Sequence, residues 1–418
     1  MINFFKKYKN LNLTLIDQAM VSGVNFVVSV ALVRILGIEL FGIFSLLWLA
    51  ILFIQSIQFA VIISPMMSIG PKYLDAEKDS YYAAVLTHQI VFSIISSLIL
   101  YISIIISSYI FPEWGIKDYA FILALTIFLS QNQDFIRRFS FIKGKVKEAF
   151  INDFISYVGR LAVLVIFFMQ TDLSLKSIFW IFSFTLSISV IYGITIINKP
   201  SFDYKYSLKI FKRNWKTSKW LAGSAIMQWT SGNYFIIAAG AILGPASVGI
   251  LRAAGNVIGI THILFQGLEN IVPASASKNY TDQGTSGLKA YLIKVLFFGG
   301  SLFLVLTFII SIFSGEILSF LYGEEYYQYR YILFWYAMVY IVMYSVLPLT
   351  IGLRTLENTK PLFFSYLVTT IFSLICAKFF VENFLLSGVM MGMMVNQFIF
   401  LGITYFYFQR TCRTIDLR

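Results

Sequence analysis

Two apolar runs near the start of the chain constrain its fold more than any other feature. They occupy residues 13–71 and are separated only by the short connection LGIELFG at 36–42. Each run is long enough to cross a bilayer, whose hydrocarbon core is about 30 Å thick and needs roughly 20 helical residues. Because lipid cannot satisfy backbone hydrogen-bonding groups, such runs form helices. The sequence therefore predicts a helical hairpin in a membrane.

The composition extends this interpretation to the whole chain. Of the 418 residues, 58% are hydrophobic and 12% are charged. A soluble domain carries about twice that charged fraction. The apolar segments predict about twelve transmembrane helices. Most Lys and Arg residues fall in connections on the side of the N-terminus, so both termini are predicted to be cytoplasmic. The net charge of +12 follows this topology and does not indicate a nucleic-acid partner.

The hairpin connection returns in the second half of the chain. ILGIELFGIFS at 35–45 is echoed by ILGPASVGILR at 242–252, and SPMMSIGPKY at 64–73 more weakly by VPASASKNY at 272–280. In the first two of these stretches, Gly37 corresponds to Gly244 and Gly42 corresponds to Gly249, each at an offset of 207 positions. A nearly constant offset close to half the chain length indicates an internal duplication. With six helices in each copy, both lobes share one orientation, and their pseudo-axis runs along the membrane normal.

The predicted fold class is an all-α polytopic membrane protein with two six-helix lobes around a central cavity. We expect five parts: an interfacial segment at 1–12, an N-terminal lobe at 13–198, a basic linker at 199–218, a C-terminal lobe at 219–408 and a cytoplasmic tail at 409–418. The linker, KPSFDYKYSLKIFKRNWKTS, is interpreted as a topology determinant that lies on anionic headgroups. Docking of a partner protein is the alternative.

A polar stripe marks the first predicted helix. Gln18, Ser22 and Asn25 recur at helical spacing and share one face, with Asp17 beside it. Such a stripe faces protein or water because lipid cannot satisfy it. For the small residues, cavity lining and simple contact between packed helices remain equal alternatives. Asp17 favours the cavity.

Further polar and charged residues lie at membrane depth in other predicted helices. The eighth helix carries a stripe of Arg252, Asn256, His262, Gln266 and Glu269, and its repeat-mate contributes Gln55. Arg160 lies near the middle of the fifth helix, with Asp153 seven residues before it on the same predicted face. Burying these charges costs several kcal/mol, which indicates a function. A snorkelling Arg252, an interfacial Glu269 and a structural ion pair at Arg160 are the simpler alternatives.

The sequence lacks the signals of several enzyme classes. No GxxxxGK[ST] loop is present, so ATP hydrolysis by that route is excluded. No His, Cys, Asp or Glu residues have metal-ligand spacing, and no nucleophile stands beside a base in a polar segment. We therefore predict no catalytic residue, metal or cofactor. Transport would draw on an ion gradient, the membrane potential or consumption of the product.

The segments DQAMVSGVNFVVSVALVRILGIELFGIFSL at 17–46 and SPMMSIGPKY at 64–73 resemble the N-terminal hairpin of polysaccharide-biosynthesis membrane proteins, the Wzx-type O-antigen and exopolysaccharide flippases. Their superfamily also contains multidrug exporters and lipid II flippases. The resemblance implies two lobes around a cavity that opens alternately to each side. It implies transfer of an oligosaccharide linked to undecaprenyl pyrophosphate from the cytoplasmic to the outer leaflet, with membrane lipids, a glycan polymerase and a chain-length regulator as partners.

This substrate assigns roles to the polar residues. Arginine binds phosphate oxygens through its planar fork, which suits Arg34, Arg160 and Arg252 to the diphosphate. Sugar hydroxyls would be bound by the cavity polar residues, which are Gln18, Ser22, Asn25, Gln55, Asn256, His262 and Gln266. Asp17 or Glu269 would carry a coupling proton or balance the arginines. An ion-coupled multidrug exporter, a membrane-bound glycan polymerase or ligase, and a purely structural membrane protein are the competing interpretations.

Overall fold

The computed structural model describes residues 2–169, 173–197 and 203–417, and these form helices and turns without a β-strand. The first part contains α1 (Ile2–Gln58), α2 (Ser64–Ile69), α3 (Asp75–Ile110), α4 (Ala120–Ile142), α5 (Val146–Asp153), α6 (Gly159–Phe168) and α7 (Leu175–Ile194). The second part contains α8 (Tyr204–Leu243), α9 (Pro245–Gly259), α10 (His262–Ile312), α11 (Ser314–Tyr322), α12 (Arg330–Thr355) and α13 (Lys360–Asp416). The predicted all-α fold class is confirmed.

Three of these helices are too long for a single membrane crossing. In the described chain the apolar stretches within α10 and α13 run over 46 and 57 residues, and the stretch that begins in α1 continues through α2 over 61 residues. These lengths are two to three times the roughly 20 residues that one crossing needs. Each is bent at one residue with a positive φ, at Gly37 in α1, Gly284 in α10 and Leu385 in α13. Each bent helix therefore supplies two segments. Some short helices directly continue one another along the chain. When each such series is counted as one segment, the described chain has the twelve segments that the sequence predicted.

The first compact unit comprises Met1–Leu36 and Leu47–Ile226. Within it, α4 packs against both α3 and α7. One buried core joins Ile63, Tyr81 and Phe135 to Ile210 of α8. Helix α8 thus begins at Tyr204, fifteen residues before the predicted start at 219, and its first turns pack as part of this unit. Residues 199–202 of the predicted linker lie outside the described residues.

The second compact unit comprises Gly37–Leu46 and Met227–Arg418. Helix α12 is its centre and packs against α9, α10 and α13. The buried core here is rich in aromatic rings, with Phe303 stacked on Tyr344 at a centroid distance of 5.3 Å. Stacked rings add to the stabilisation that their buried area provides.

The sequence repeat has a direct structural counterpart inside the second unit. Gly37 and Gly244 adopt nearly the same conformation, with φ/ψ of 70°/179° and 88°/170°. This region of backbone conformation favours glycine. Gly42 and Gly249 approach each other so closely that a Cβ on Gly42 would lie 1.8 Å from the Pro245 carbonyl oxygen. A Cβ on Gly249 would lie 2.2 Å from the carbonyl oxygen of Ile38.

These two contacts are related by the repeat. Ile38 and Pro245 are 207 positions apart, as are Gly42 and Gly249. In each copy of the repeat, the glycine therefore contacts the equivalent backbone carbonyl of the other copy. The duplicated connections therefore meet about a local two-fold axis. This contact also explains why residues 37–46 belong to the second unit although their neighbours in the chain belong to the first.

Candidate functional site

Arg160 is a buried cation that forms no ion pair with a carboxylate of the described residues. It lies at the start of α6, and only 5% of its surface is exposed. Its guanidinium lies 4.1 Å from the ring centroid of Phe182 and 5.3 Å from that of Tyr157. Among the described residues no carboxylate forms an ion pair with it, and its Nε has no hydrogen-bond partner. Aromatic faces stabilise the charge, while the N–H donors remain available to an anion.

A π-helical segment separates Arg160 from Asp153. In a regular α-helix, residues seven apart share a face, which was the sequence-based prediction. Residues Phe154–Val158 form instead a π-helical turn. One extra residue in the turn rotates the following helix by about 100°. The two charges therefore have different surroundings, because Arg160 contacts Phe182 whereas Asp153 contacts α4.

Asp153 belongs to a buried ionic network centred on Arg137 of α4. Arg137 donates from Nη2 to Asp17 Oδ2 of α1 at 3.0 Å, and its Nε forms an ion pair with Asp153. Both carboxylates are buried, with 1% and 0% of their surfaces exposed. Gln133 donates to Asp153 Oδ1 at 2.8 Å and to Asn152 Oδ1 at 3.1 Å. The guanidinium on α4 thus binds side chains from two other segments, α1 and α5.

The network carries an uncompensated charge. Two carboxylates surround one guanidinium, so its formal charge is −1 when both are ionised. Asp17 Oδ1 has no hydrogen-bond partner in the described part of the chain. A buried negative charge is costly unless a cation or a proton neutralises it. The network can therefore accept one positive charge.

The role of Arg137 was not predicted from the sequence, which placed it among the basic residues that anchor the cytoplasmic end of a helix. A signal was nevertheless present. Gln133 and Arg137 are four residues apart and share a helical face, next to the polar run SQNQD at 130–134. An arginine that extends a polar face inside the bundle differs from an anchor that points to solvent.

In the second unit, Arg252 has surroundings similar to those of Arg160. It is half-buried on α9, and the ionisable groups that interact with it are the phenols of Tyr336 and Tyr340. No carboxylate of the described chain forms an ion pair with it. Tyr322 of α11 donates to the Ala253 carbonyl oxygen at 3.0 Å and fixes this part of α9. In the described chain, Arg160 of the first unit and Arg252 of the second therefore each interact with aromatic side chains and form no ion pair with a carboxylate.

The other predicted residues differ in their surroundings. Gln18 accepts from Arg137 at 3.5 Å, and Gln55 donates to Ser130 Oγ at 3.2 Å. His262 is exposed and lies edge-on to the rings of Phe265 and Tyr340. The exposed members are Gln18, Asn25, Arg34, His262 and Glu269; the half-buried members are Ser22, Gln55, Arg252 and Asn256.

The eighth predicted helix is not continuous. It divides into α9, which ends at Gly259, and α10, which begins at His262. The predicted polar stripe therefore crosses a break, and the side chain of Gln266 lies outside the described residues. Of the predicted residues, the structure brings Asp17 and Gln18 together at Arg137. Within the described ranges, no group of His, Cys, Asp and Glu side chains has an arrangement that could hold a metal ion.

Solved structures identify the class of protein. A multidrug resistance MATE family transporter of the MOP superfamily, in an inward-facing conformation, aligns with a TM-score of 0.75 at 11% identity, over 94% of this chain and 95% of that one. The lipid II flippase MurJ aligns with a TM-score of 0.67 at 16% identity, over 98% and 90%. The protein thus shares the fold of these two helical membrane proteins.

A third solved structure also aligns with this chain. A MOP superfamily transporter from Pyrococcus furiosus, whose structure is described as having a binding pocket of reverse polarity that suggests a different function, aligns with a TM-score of 0.58 at 11% identity over 97% and 94%. The family itself follows from the sequence. The model of the family described as "Polysaccharide biosynthesis protein" matches residues 31–330, so the chain belongs to that family. No protein of curated function matches the sequence.

Proposed function

We propose that this protein flips oligosaccharide repeat units linked to undecaprenyl pyrophosphate from the cytoplasmic to the outer leaflet of a bacterial inner membrane. The observation that carries this proposal is the pair Arg160 and Arg252, each free of carboxylate partners in the described chain. Membership of a polysaccharide-biosynthesis family supports it. The product would be used for a surface polysaccharide such as O-antigen, lipopolysaccharide, capsule or exopolysaccharide.

The chemistry of the lipid carrier fits these arginines. A diphosphate is a compact anion, and charge-assisted hydrogen bonds from guanidinium to phosphate are short, strong and directional. A guanidinium held on aromatic faces keeps its donors free for this task, whereas one paired with a carboxylate does not. We propose that Arg34, Arg160 and Arg252 bind this diphosphate. Polar residues such as Asn25, Gln55 and Asn256 would bind the sugars. Alternating access would then transfer the lipid-linked oligosaccharide across the membrane.

For energy coupling we propose Asp17. Its network with Arg137 and Asp153 has a formal charge of −1 and leaves Asp17 Oδ1 without a partner. Binding of a proton or a cation would neutralise the network and weaken the hold of Arg137 on α1. Glu269 is a second candidate, since it is exposed and interacts electrostatically with His262. In this proposal both termini are cytoplasmic, and a glycan polymerase and a chain-length regulator act on the flipped product.

An ion-coupled exporter of cationic drugs is the second candidate, because one of the aligned structures is a multidrug resistance transporter. Such a cavity would need free carboxylates. In the described first unit the buried carboxylates Asp17 and Asp153 share the single guanidinium of Arg137. Because Arg160 and Arg252 form no ion pair in the described chain, an anionic substrate is favoured. A glycan polymerase or ligase is less well supported, because the family and the fold are those of transporters.

A leaflet assay tests the proposal. In cells that lack the gene, lipid-linked oligosaccharide would be extracted after treatment with an impermeant sugar-cleaving reagent, applied to intact spheroplasts or to lysed cells. We expect full-length repeat units to accumulate and to be cleaved only after lysis. Cleavage in intact spheroplasts would show that transfer is not the task of this protein and would favour the exporter.

A further inference from the structure

The first sixteen residues of α8 form an amphipathic segment, 204–219, with a defined buried face. Asp203 begins the helix, where its Oδ1 accepts from the backbone N–H of Tyr206 at 3.2 Å. The buried face has helical spacing and consists of one apolar residue, Ile210, and three polar residues, Ser207, Asn214 and Ser218. A helix with one buried stripe over four turns is positioned by the unit that it packs against.

Three hydrogen bonds fix this segment on the first unit. Ser207 Oγ lies 3.0 Å from His88 Nε2, and Asn214 Nδ2 donates to the Tyr81 hydroxyl at 3.4 Å. The hydroxyl of Ser218 donates to the Val61 carbonyl oxygen at 3.2 Å. The segment is therefore docked along the start of α3 and is not a free linker.

The docking position sets the depth of the segment in the membrane. Helix α3 has 36 residues and is about 54 Å long, well beyond the roughly 30 Å of a hydrocarbon core. Its excess length lies at its start, where the charged residues Glu77, Lys78 and Asp79 precede the apolar run. Tyr81 stands where that run begins, and His88 lies seven residues further along it. The segment thus lies at the level of the lipid headgroups.

Two exposed stripes run along the segment beside each other. One is aromatic and apolar, and consists of Tyr204, Leu208, Phe211 and Trp215, with exposed fractions of 68%, 42%, 40% and 44%. The other is basic, and consists of Lys205, Lys209, Lys212, Arg213, Lys216 and Lys219, all exposed. The segment contains no acidic residue, and in the described chain none of its six cations forms an ion pair.

We propose that the segment 204–219 is a binding surface for anionic phospholipid headgroups. Aromatic side chains are favoured at the boundary between headgroups and acyl chains, and a basic stripe next to them meets the lipid phosphates. An acidic protein partner would satisfy the lysines, but it would not account for an aromatic stripe at the depth of the bilayer surface. The positive-inside distribution of the chain assigns this surface to the cytoplasmic leaflet.

The test uses tryptophan fluorescence of the full-length protein in vesicles. Trp215 lies in the aromatic stripe, so its signal is the difference between the protein and its Trp215→Phe variant. Vesicles would contain either brominated phosphatidylglycerol or brominated phosphatidylcholine in an unbrominated background. We expect the anionic quencher to act on Trp215 at a lower mole fraction than the zwitterionic one. The variant Lys209→Gln/Lys212→Gln/Lys216→Gln should lose this preference by roughly 10- to 100-fold.

The matched control removes the same charge from dispersed positions. The variant Lys72→Gln/Lys147→Gln/Lys278→Gln neutralises three exposed lysines that are also predicted to be cytoplasmic, and it should keep the preference. Equal quenching of Trp215 by both lipids in the unsubstituted protein would overturn the proposal and favour an acidic protein partner. So would equal losses in the two triple variants, which would indicate net charge alone. The readout does not depend on what the protein transports.

Discussion

Arg160 combines a membrane-buried charge with the absence of any carboxylate partner in the described chain. We expect Arg160→Gln to lower the amount of surface glycan by roughly 10- to 100-fold, the effect of losing hydrogen bonds to a charged group. Arg160→Lys should be intermediate, because it keeps the charge but not the planar fork. Surface glycan and the level of the protein in the membrane would be measured together. Arg252→Gln should behave in the same way.

Arg138 provides the matched control for Arg160. It is an arginine of the same unit that binds Asp134 at 3.0 Å and lies over the Phe59 ring. Its donors are therefore engaged, and Arg138→Gln should leave the glycan near the normal amount. Normal glycan in Arg160→Gln would contradict phosphate binding by Arg160. A lower protein level would point to a structural role for its contact with Phe182.

Arg137 tests the ionic network separately from the substrate. We expect Arg137→Met to lower the free energy of unfolding by about 3–5 kcal/mol, because it leaves two buried carboxylates without a counter-charge. Adding Asp17→Asn and Asp153→Asn should recover most of the loss. Thermal unfolding in detergent would measure both variants. If the triple variant were as unstable as the single one, packing of the guanidinium and not its charge would be responsible.

At the scale of a helix, the π-helical segment Phe154–Val158 makes a sharp prediction. Deleting Ile155 should convert the segment into regular α-helix while both flanks keep their positions, because a π-turn contains one residue more than the α-turn it replaces. We expect a melting temperature within a few degrees of the normal value. Transport should fall if the wider turn is needed at the site, and the leaflet assay would report this.

The control deletion is placed at Ile151, in the regular α-helix α5 that precedes the π-helical segment. Deleting Ile151 moves Asn152 and Asp153 by about 100° relative to α4 and α7. This breaks the hydrogen bond from Asn152 Nδ2 to the Ser189 carbonyl oxygen at 2.7 Å, together with the contacts of Asp153. The control should therefore unfold at a distinctly lower temperature. Equal destabilisation by the two deletions would contradict an inserted residue at the π-turn.

The helices themselves were predictable where length and polarity act locally. Runs of about 20 apolar residues have few alternatives in a membrane, and so the segments followed from the sequence. The start of α8 did not, because six basic residues at 205–219 were interpreted as a loop. The buried positions 207, 210, 214 and 218 do have helical spacing, but their residues are mostly polar, and polar periodicity is a weak signal until the packing partners are known.

Contacts between distant segments set the limit of the sequence-based prediction for the whole molecule. Arg137 and Asp17 are 120 positions apart, and nothing in either local pattern specifies the other. The sequence indicated that Asp17, Arg160 and Arg252 are unusual at their depth. It did not show that, in the described chain, Asp17 forms an ion pair whereas Arg160 and Arg252 do not. The repeat was an exception, since its offset identified Gly42 and Gly249 as equivalent before their contact was known.

That glycine pair allows a test of the duplicated architecture. Gly42→Ala and Gly249→Ala each place a methyl group on the other copy's backbone, so we expect each to cost about 1–3 kcal/mol of stability. Because both substitutions separate the same two connections, the double variant should cost less than the sum. Gly23→Ala is the control: a Cβ there meets nothing within 4 Å, and alanine should stabilise the helix by up to about 1 kcal/mol. Thermal unfolding of the four variants would measure the coupling. Additive losses would show that the two contacts are independent and that the two connections are not coupled to each other.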